Sequence, residues 1–255
     1  MAAKTTLVLL PSLSLMSQTM REWAWGSNES FEILNVCSDP TVGKRTLDTP
    51  PWEAPFDVTW HIDSISEFLQ RDVDKVVFCT YQSSDLIAQA QADLSIPAFD
   101  LVIADEAHRC AGKADAGFAT ILDGEKIRAT KRLFTTATPR ITSASVKSKA
   151  EGMGVEIYGM DDEVVFGPQL HRLTFGEAIS LEMLTDYQVV IVGVDAAMVK
   201  EWIDNQEIVS INPTQITDAR TLAAKIGLLK AMKDYDLKRV ISFHSRINGA
   251  RDFSK

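Results

Sequence analysis

Cysteine is scarce in this sequence, and so are long apolar runs. The 255 residues include 3 cysteines, Cys37, Cys79 and Cys110. None forms a C-x-x-C pair, so neither a disulfide framework nor a cysteine-based zinc module is expected, and a cytoplasmic location is favoured. No run approaches the roughly 18 apolar residues that a membrane span requires. The early run from Leu7 to Leu10 is broken by Pro11, which disfavours a secretory leader.

Positive charge is also in short supply. Lys and Arg number 26 against 35 Asp and Glu, a formal net charge of −9. Nucleic-acid binding would therefore have to rest on a local patch or on backbone amides, because no broad cationic surface is available. The motifs H-E-x-x-H and G-x-S-x-G are absent, so a zinc protease and a serine hydrolase of the α/β type are not indicated.

Short apolar runs alternate with amphipathic stretches. This alternation is typical of an α/β fold in which a parallel sheet is covered on both faces. The first part of the chain contains five predicted strands: Thr6 to Leu10, Phe31 to Val36, Lys75 to Cys79, Phe99 to Ala104 and Arg132 to Thr136. In such sheets functional sites collect where the strands end and the following loops begin.

Two helices are predicted directly after the first and third strands. Ser12 is a suitable cap for a helix that carries apolar residues at helical spacing and ends at Gly26. Ser83 or Ser84 is a suitable cap for a second helix, which is expected to extend to Leu94.

A second domain is expected to open in the last third of the chain. The predicted strands Gln188 to Val194 and Arg239 to Phe243 flank a predicted helix, Ala219 to Lys233. We expect a first domain over residues 1–175, and a connector with the beginning of a second domain over residues 176–255.

Two adjacent carboxylates, Asp105 and Glu106, follow the strand Phe99 to Ala104. One is suited to the hydration shell of Mg²⁺ and the other to orienting a water molecule that attacks a phosphoanhydride. The competing interpretation is that the pair only caps the following turn. His108 lies two residues further on.

A second apolar strand ends in small hydroxyl residues about thirty residues later. The exit of this strand, meaning the segment where the strand ends and the next loop begins, contains Thr136 and Thr138, followed by Pro139. These hydroxyls are positioned to bond His108 and to relay the state of a phosphate site. On its own, this exit is also common in proteins with no such site.

Together the two stretches resemble motifs II and III of superfamily 2 helicases and translocases of the DEAH-box type. The resemblance implies two RecA-like domains of the P-loop NTPase fold, with ATP bound between them. It implies that Asp105 holds Mg²⁺ through water, that Glu106 activates water, and that His108 with Thr136 and Thr138 couples hydrolysis to movement.

Within the superfamily, the chain is most similar to large helicases of mobile elements and of restriction-modification systems of the type ISP kind. The softer cues are Val36 to Asp39 with Val42 to Arg45, the run Asp105 to Arg109, and Met160 to Glu163. Nuclease or methyltransferase domains in the same parent polypeptide are the further partners that this similarity suggests, and the sequence leaves their attachment open.

Three further stretches resemble family segments that contact the backbone of nucleic acid, with DNA as the expected partner. They resemble motifs Ia, Ib and IV respectively, and their residues are Pro11, Ser12 and Gln18; Thr80, Tyr81, Gln82 and Ser83; and His244, Ser245 and Arg246. Helix amino termini and hydroxyl groups hold phosphates without lysine.

The family's phosphate-binding loop, G-x-x-x-x-G-K-[ST], is not found. The Gly-Lys pairs Gly43-Lys44 and Gly112-Lys113 both lack its first glycine and its hydroxyl residue. Motifs V and VI, with the arginine finger, are expected beyond Lys255. We therefore expect a middle portion of an ATP-dependent DNA helicase or translocase, inactive in isolation. The alternative is a non-catalytic nucleic-acid-binding or regulatory module, and a metal-dependent nuclease is the third possibility.

Overall fold

Five parallel strands form the central sheet of the protein. A computed structural model describes residues 3–27, 30–38, 58–113, 118–153, 155–195 and 219–254. The chain divides into two compact units, Met1–Arg172 and Leu173–Lys255. The sheet belongs to the first unit. The predicted α/β fold with a parallel sheet is confirmed.

The strands of this sheet follow the order β2-β3-β1-β4-β6. Their bounds are β1 Thr5–Leu10, β2 Glu32–Val36, β3 Lys75–Thr80, β4 Phe99–Asp105 and β6 Ala129–Thr135. A separate antiparallel ribbon joins β5 Gly112–Lys113 to β7 Ile157–Tyr158. All five strands predicted in this unit are present, but the last begins at Ala129 instead of Arg132 and ends at Thr135.

The strand β1 lies at the centre and is buried along its whole length. Because side chains alternate across a strand, Leu7 and Leu9 join the apolar core on one face while Val8 and Leu10 join the core on the other. Each fully buried aliphatic side chain contributes about 1.5–3 kcal/mol. The parallel register places the carboxyl ends of all five strands at one edge.

Three helices of this unit connect consecutive strands of the sheet: α1 Leu13–Gly26, α2 Ile62–Gln70 and α3 Ser84–Gln91. Ser12 caps α1 as predicted, since its hydroxyl accepts a hydrogen bond from the Leu15 amide. The prediction for α3 is confirmed in part, because Ser83 occupies the N-cap position. The Ser83 hydroxyl makes no cap, and the helix ends at Gln91, leaving Leu94 83% exposed.

The remaining helices follow the last strand of the sheet. The first unit ends with α4 Ala144–Gly152 and α5 Glu163–Phe166. The second unit contains α6 Phe175–Ser180, α7 Ala219–Asp234 and α8 Ile247–Ser254. Thr174 and Glu177 form a reciprocal capping box at the start of α6. None of the helices in the described ranges has the length and apolar character of a membrane span.

The two strands predicted in the second unit do not form. Residues 188–194 and 239–243 are irregular. An apolar run becomes a strand only when a neighbouring strand accepts and donates its backbone hydrogen bonds. Among the described residues of this unit, neither run has such a partner. The helix predicted between them is confirmed as α7.

Candidate active site

The carboxyl ends of β4 and β6 lie side by side. Their register pairs Ala104 with Phe134 and Asp105 with Thr135. Residues that follow β4 therefore meet residues that follow β6, although about thirty positions separate them in the sequence. Both predicted stretches of catalytic residues are consequently at one place on the sheet edge.

The Asp105 side chain is fixed by its neighbour on β6. The Thr135 hydroxyl donates to Asp105 Oδ1 over 2.9 Å. The backbone carbonyl of Asp105 is held separately, because it accepts a hydrogen bond from the Tyr81 hydroxyl over 2.7 Å. The side chain is half-buried, so the carboxylate is oriented by the protein while it retains access to solvent.

Glu106 adopts a left-handed backbone conformation, with φ 52° and ψ 43°. For a residue other than glycine this conformation costs about 1–3 kcal/mol, and such residues concentrate at functional sites. It ends β4 abruptly and turns the chain into the single 3-10 turn Ala107–Arg109. The turn brings the Glu106 carboxylate beside the exit of β6.

His108 joins the two strand exits. Its Nδ1 lies 2.9 Å from the Thr136 hydroxyl and 3.3 Å from that of Thr138. Glu106 Oε2 lies 3.2 Å from His108 Nδ1 and 3.5 Å from Thr136 Oγ1. A proton on Nδ1 satisfies these contacts, since the imidazole then donates to Thr136 and Thr136 donates to Glu106.

The cluster of Glu106, His108, Thr136 and Thr138 is open to solvent. The side chains of Glu106 and His108 are 38% and 30% exposed. A carboxylate held in this way can accept a proton from a bound water molecule. Among the described residues, no three His, Cys, Asp or Glu side chains converge on a point where they would form a metal cage.

The exit of β3 differs from this cluster because its polar side chains are buried. Thr80, Tyr81 and Ser83 are all nearly inaccessible. Ser83 Oγ accepts from the Ser38 amide over 2.8 Å and from Thr80 Oγ1 over 3.0 Å. A contact of this loop with nucleic acid therefore falls to the exposed Gln82 and to backbone groups.

The other predicted nucleic-acid contacts lie at the start of α1 in the first unit and before α8 in the second unit. Pro11 is buried. Ser12 is exposed, but its hydroxyl already accepts the hydrogen bond that caps α1. Gln18 is exposed and donates to Glu22. In the second unit, His244 contacts the Ser242 hydroxyl over 3.1 Å. Ser245 and Arg246 are exposed there.

Two contacts of the site were missed by sequence reasoning. The family resemblance predicts roles for Thr136 and Thr138 and none for Thr135, although the strand register makes Thr135 the partner of Asp105. Tyr81 was interpreted as a nucleic-acid contact, but it supports Asp105 from inside the protein. The signal for Thr135 is its position at the end of an apolar strand. No sequence pattern signals the contact of Tyr81.

The remaining sequence cues fall outside the cluster. Gly112 and Lys113 form β5, paired with β7, and not a loop that leads into a helix. Asp162 caps α5 by accepting from the Val164 amide. Gly43-Lys44 and the cue Val42 to Arg45 lie outside the described residues.

Comparison with known proteins identifies the family. Residues 1–141 match the family described as type III restriction enzyme, res subunit. The chain belongs to this family. It is 32% identical over 145 residues to a probable helicase of African swine fever virus, a match that covers 56% of this chain and 15% of the viral protein.

Two solved structures share the fold. A DNA-bound ATP-dependent type ISP restriction-modification enzyme, LlaBIII, matches with a TM-score of 0.66 and 28% identity, over 89% of this chain and 15% of that one. A nuclease-deletion mutant of the type ISP enzyme LlaGI, in complex with a DNA substrate mimic, matches with a TM-score of 0.57 and 27% identity, over 91% and 17% of the two chains.

These findings confirm the predicted superfamily 2 helicase-like core and its kinship with restriction-modification enzymes. The chain is a member of a helicase and translocase family. It spans 15% of the length of the viral helicase and 15% of the length of LlaBIII.

Proposed function

We propose that this chain supplies the middle portion of an ATP-dependent DNA helicase or translocase, in which hydrolysis of Mg-ATP drives movement along DNA. One observation carries the proposal. After β4, Glu106 and His108 contact the Thr136 hydroxyl beyond β6, and His108 also contacts that of Thr138, in an open cluster that spans two strands. Thr135 holds Asp105 beside this cluster. A pair of acids that merely capped a turn would not need these partners.

The donor set suits Mg²⁺. Mg²⁺ prefers carboxylate oxygens and retains several water ligands, so a single fixed carboxylate is enough to hold its hydration shell. Asp105 fits this requirement because Thr135 occupies one of its carboxylate oxygens and sets its orientation. When bound, the ion supplies positive charge that neutralises the phosphate oxygens of ATP.

The protein side chains then have distinct tasks. Glu106 accepts the proton of the attacking water at its carboxylate. His108 and Thr136 hold that carboxylate in place through the contacts at 3.2 and 3.5 Å. Thr138 extends the same chain of contacts to the exposed end of the β6 exit.

DNA is the proposed partner. Two type ISP relatives of known structure are bound to DNA or to a DNA mimic. In this chain the accessible candidates for such contacts are Ser12, Gln18, Gln82, Ser245 and Arg246. His244 is exposed as well. With a net charge of −9, these contacts would rely on local donors and backbone amides.

We also propose the division at residue 175 into a first RecA-like domain and the beginning of a second. The phosphate-binding loop and the arginine finger would be supplied by other parts of a longer polypeptide, as would any nuclease or methyltransferase domain. The phosphate-binding loop and the arginine finger contribute much of the rate acceleration of ATP hydrolysis. This chain on its own would therefore hydrolyse ATP negligibly.

The test uses the complete polypeptide encoded by the reading frame that contains this chain. We expect ATP hydrolysis that requires Mg²⁺ and is stimulated by DNA, and its loss in Asp105→Asn. The matched control is Asp63→Asn, which changes an exposed carboxylate on α2. DNA binding without hydrolysis in the wild-type protein would overturn the proposal and favour the non-catalytic module.

A further inference from the structure

We propose that Tyr81 is a positioning residue that holds the peptide group between Asp105 and Glu106. Through this bond, the loop after β3 would control the orientation of the Glu106 carboxylate. The inference rests on the proposed function, because it assigns Tyr81 a part in the same hydrolysis reaction.

The bond crosses the sheet edge between strands that are not neighbours. In the sheet order, β1 lies between β3 and β4. The backbone hydrogen bonds of the sheet therefore cannot connect the exits of β3 and β4 directly. The Tyr81 side chain makes this connection, since its hydroxyl donates over 2.7 Å to the Asp105 carbonyl.

The orientation of this carbonyl bears directly on Glu106. The Asp105 carbonyl and the Glu106 amide nitrogen belong to one planar peptide group, so rotating that plane changes ψ of Asp105 and φ of Glu106 together. Glu106 sits at a positive φ, 52°, which side-chain-bearing residues rarely adopt. The bond from Tyr81 opposes the rotation that would relieve this strain. Such a rotation would carry the carboxylate away from His108 and Thr136.

Tyr81 is itself held rigidly. Its side chain is fully buried, and its ring lies 5.7 Å from the ring of Phe118. Burial raises the pKa of the Tyr81 hydroxyl far above its ordinary value, so the group remains a protonated donor. The Cys110 thiol, four residues beyond Glu106, interacts with the same hydroxyl. Tyr81 is thus anchored to the segment that it orients.

The opposite end of this connection is the loop proposed to contact DNA. Tyr81 is followed by the exposed Gln82 and by Ser83, whose hydroxyl binds the Ser38 amide. A displacement of the loop on contact with a phosphate backbone would move the Tyr81 hydroxyl relative to the Asp105 carbonyl. The contact therefore offers a physical route from DNA binding to the catalytic carboxylate.

The first test is hydrogen exchange in this chain, and it does not depend on activity. Tyr81→Phe keeps the buried ring and removes only the hydroxyl. We expect amide exchange in the segment from Glu106 to Arg109 to accelerate about 10-fold, which is the loss of one hydrogen bond, while exchange in β1 is unchanged. Tyr158→Phe, which removes a hydroxyl from β7, is the control. It should leave amide exchange in the segment from Glu106 to Arg109 and in β1 at the rates of the wild type.

The second test measures hydrolysis in the complete polypeptide. In Tyr81→Phe we expect kcat with DNA to fall about 10-fold while the KM for ATP stays within about 2-fold, since orientation and not nucleotide binding is affected. If Tyr81 had a purely structural role, Tyr81→Phe would lower the midpoint of thermal unfolding without lowering kcat selectively over KM.

The outcomes separate the two proposals. A wild-type protein that hydrolyses ATP, with Tyr81→Phe at the same kcat, overturns the positioning role and leaves the proposed function intact. A wild-type protein without hydrolysis overturns the proposed function, and hydrogen exchange alone then decides whether Tyr81 orients Glu106. Unchanged exchange in the segment from Glu106 to Arg109 overturns the inference in either case.

Discussion

The segment that follows β3 and the segments that follow β4 and β6 are alike in sequence, but they differ in burial. We call the segment that follows a strand the exit of that strand. In both places an apolar strand is followed by hydroxyl or charged residues. After β3 these side chains are buried and bonded to one another. After β4 and β6 they remain accessible and form contacts between the two strands. Polar residues after an apolar strand therefore mark the edge of the sheet, and the surrounding fold decides whether their side chains are buried or accessible.

The difference follows from what covers each exit. The segment after β3 passes through the 3-10 turn Tyr81–Ser83 into α3, and it is bonded to Ser38, beyond the end of β2. The β4 exit is turned aside by the left-handed conformation of Glu106, which keeps its carboxylate at the surface. The buried exit is then expected to contribute mainly to stability, and the open exit mainly to activity.

The largest effect is expected at the open exit. Thr136→Val removes the hydroxyl that contacts both Glu106 and His108, and hydrogen bonds to charged groups contribute about 1.5–3 kcal/mol. We expect kcat for ATP in the complete polypeptide to fall about 10- to 100-fold, with little change in the free energy of unfolding. Thr130→Val, at an exposed position of the same strand, is the control. A lower free energy of unfolding in Thr136→Val without a loss of kcat would contradict the expectation that the residues after β4 and β6 contribute mainly to activity.

The buried exit is tested by Ser83→Ala. This change leaves the Ser38 amide and the Thr80 hydroxyl without their acceptor. We expect the free energy of unfolding to fall by about 1–3 kcal/mol, measured by urea denaturation of this chain. Ser64→Ala, at an exposed position of α2, should change it little. Equal stability of the two variants would show that the hydroxyl network is dispensable.

An alkaline titration tests the burial of Tyr81. Its pKa is raised above the ordinary value of 10.0, chiefly by burial. The unfolded protein therefore loses this proton first, so the stabilisation is fully present below pH 10 and is lost as the pH rises above it. We expect the free energy of unfolding of the wild type to fall more steeply there than that of Tyr81→Phe, by at most about 1.4 kcal/mol per pH unit. Parallel curves would contradict the burial.

The smallest effect is expected at the exposed residue of the β3 exit. Gln82→Ala should weaken binding of a fluorescent DNA oligonucleotide by about 2- to 5-fold, the equivalent of one solvated hydrogen bond. The unfolding of the variant should match that of the wild type. Gln89→Ala, which is exposed on α3, controls for the loss of a surface amide. Equal affinities would exclude Gln82 from the DNA contact.

Most of the sheet could be predicted because its strands are short apolar runs that end in polar residues. Ser12 was identified as a helix cap from the same local rules, and Asp105 and Glu106 were identified from their position after such a run. The hydrogen bond between Tyr81 and Asp105 could not be predicted, because it depends on the order of strands in the sheet. The left-handed conformation of Glu106 has no sequence signal, since glutamate rarely adopts it.

The failures in the second unit have a different cause. Residues 188–194 and 239–243 have the composition of strands, but strand formation depends on a partner and not on composition alone. Local patterns identified the helix α7 in the same unit, because a helix satisfies its hydrogen bonds internally.

Glu106 is the residue proposed to activate the water that attacks ATP. The most direct measurement compares nucleotide binding with hydrolysis in Glu106→Gln of the complete polypeptide, with Glu125→Gln as the surface control. We predict that Mg-ATP still binds while the rate of hydrolysis in the presence of DNA falls by about 10²- to 10⁴-fold. Hydrolysis by Glu106→Gln at the rate of the wild type would contradict the account.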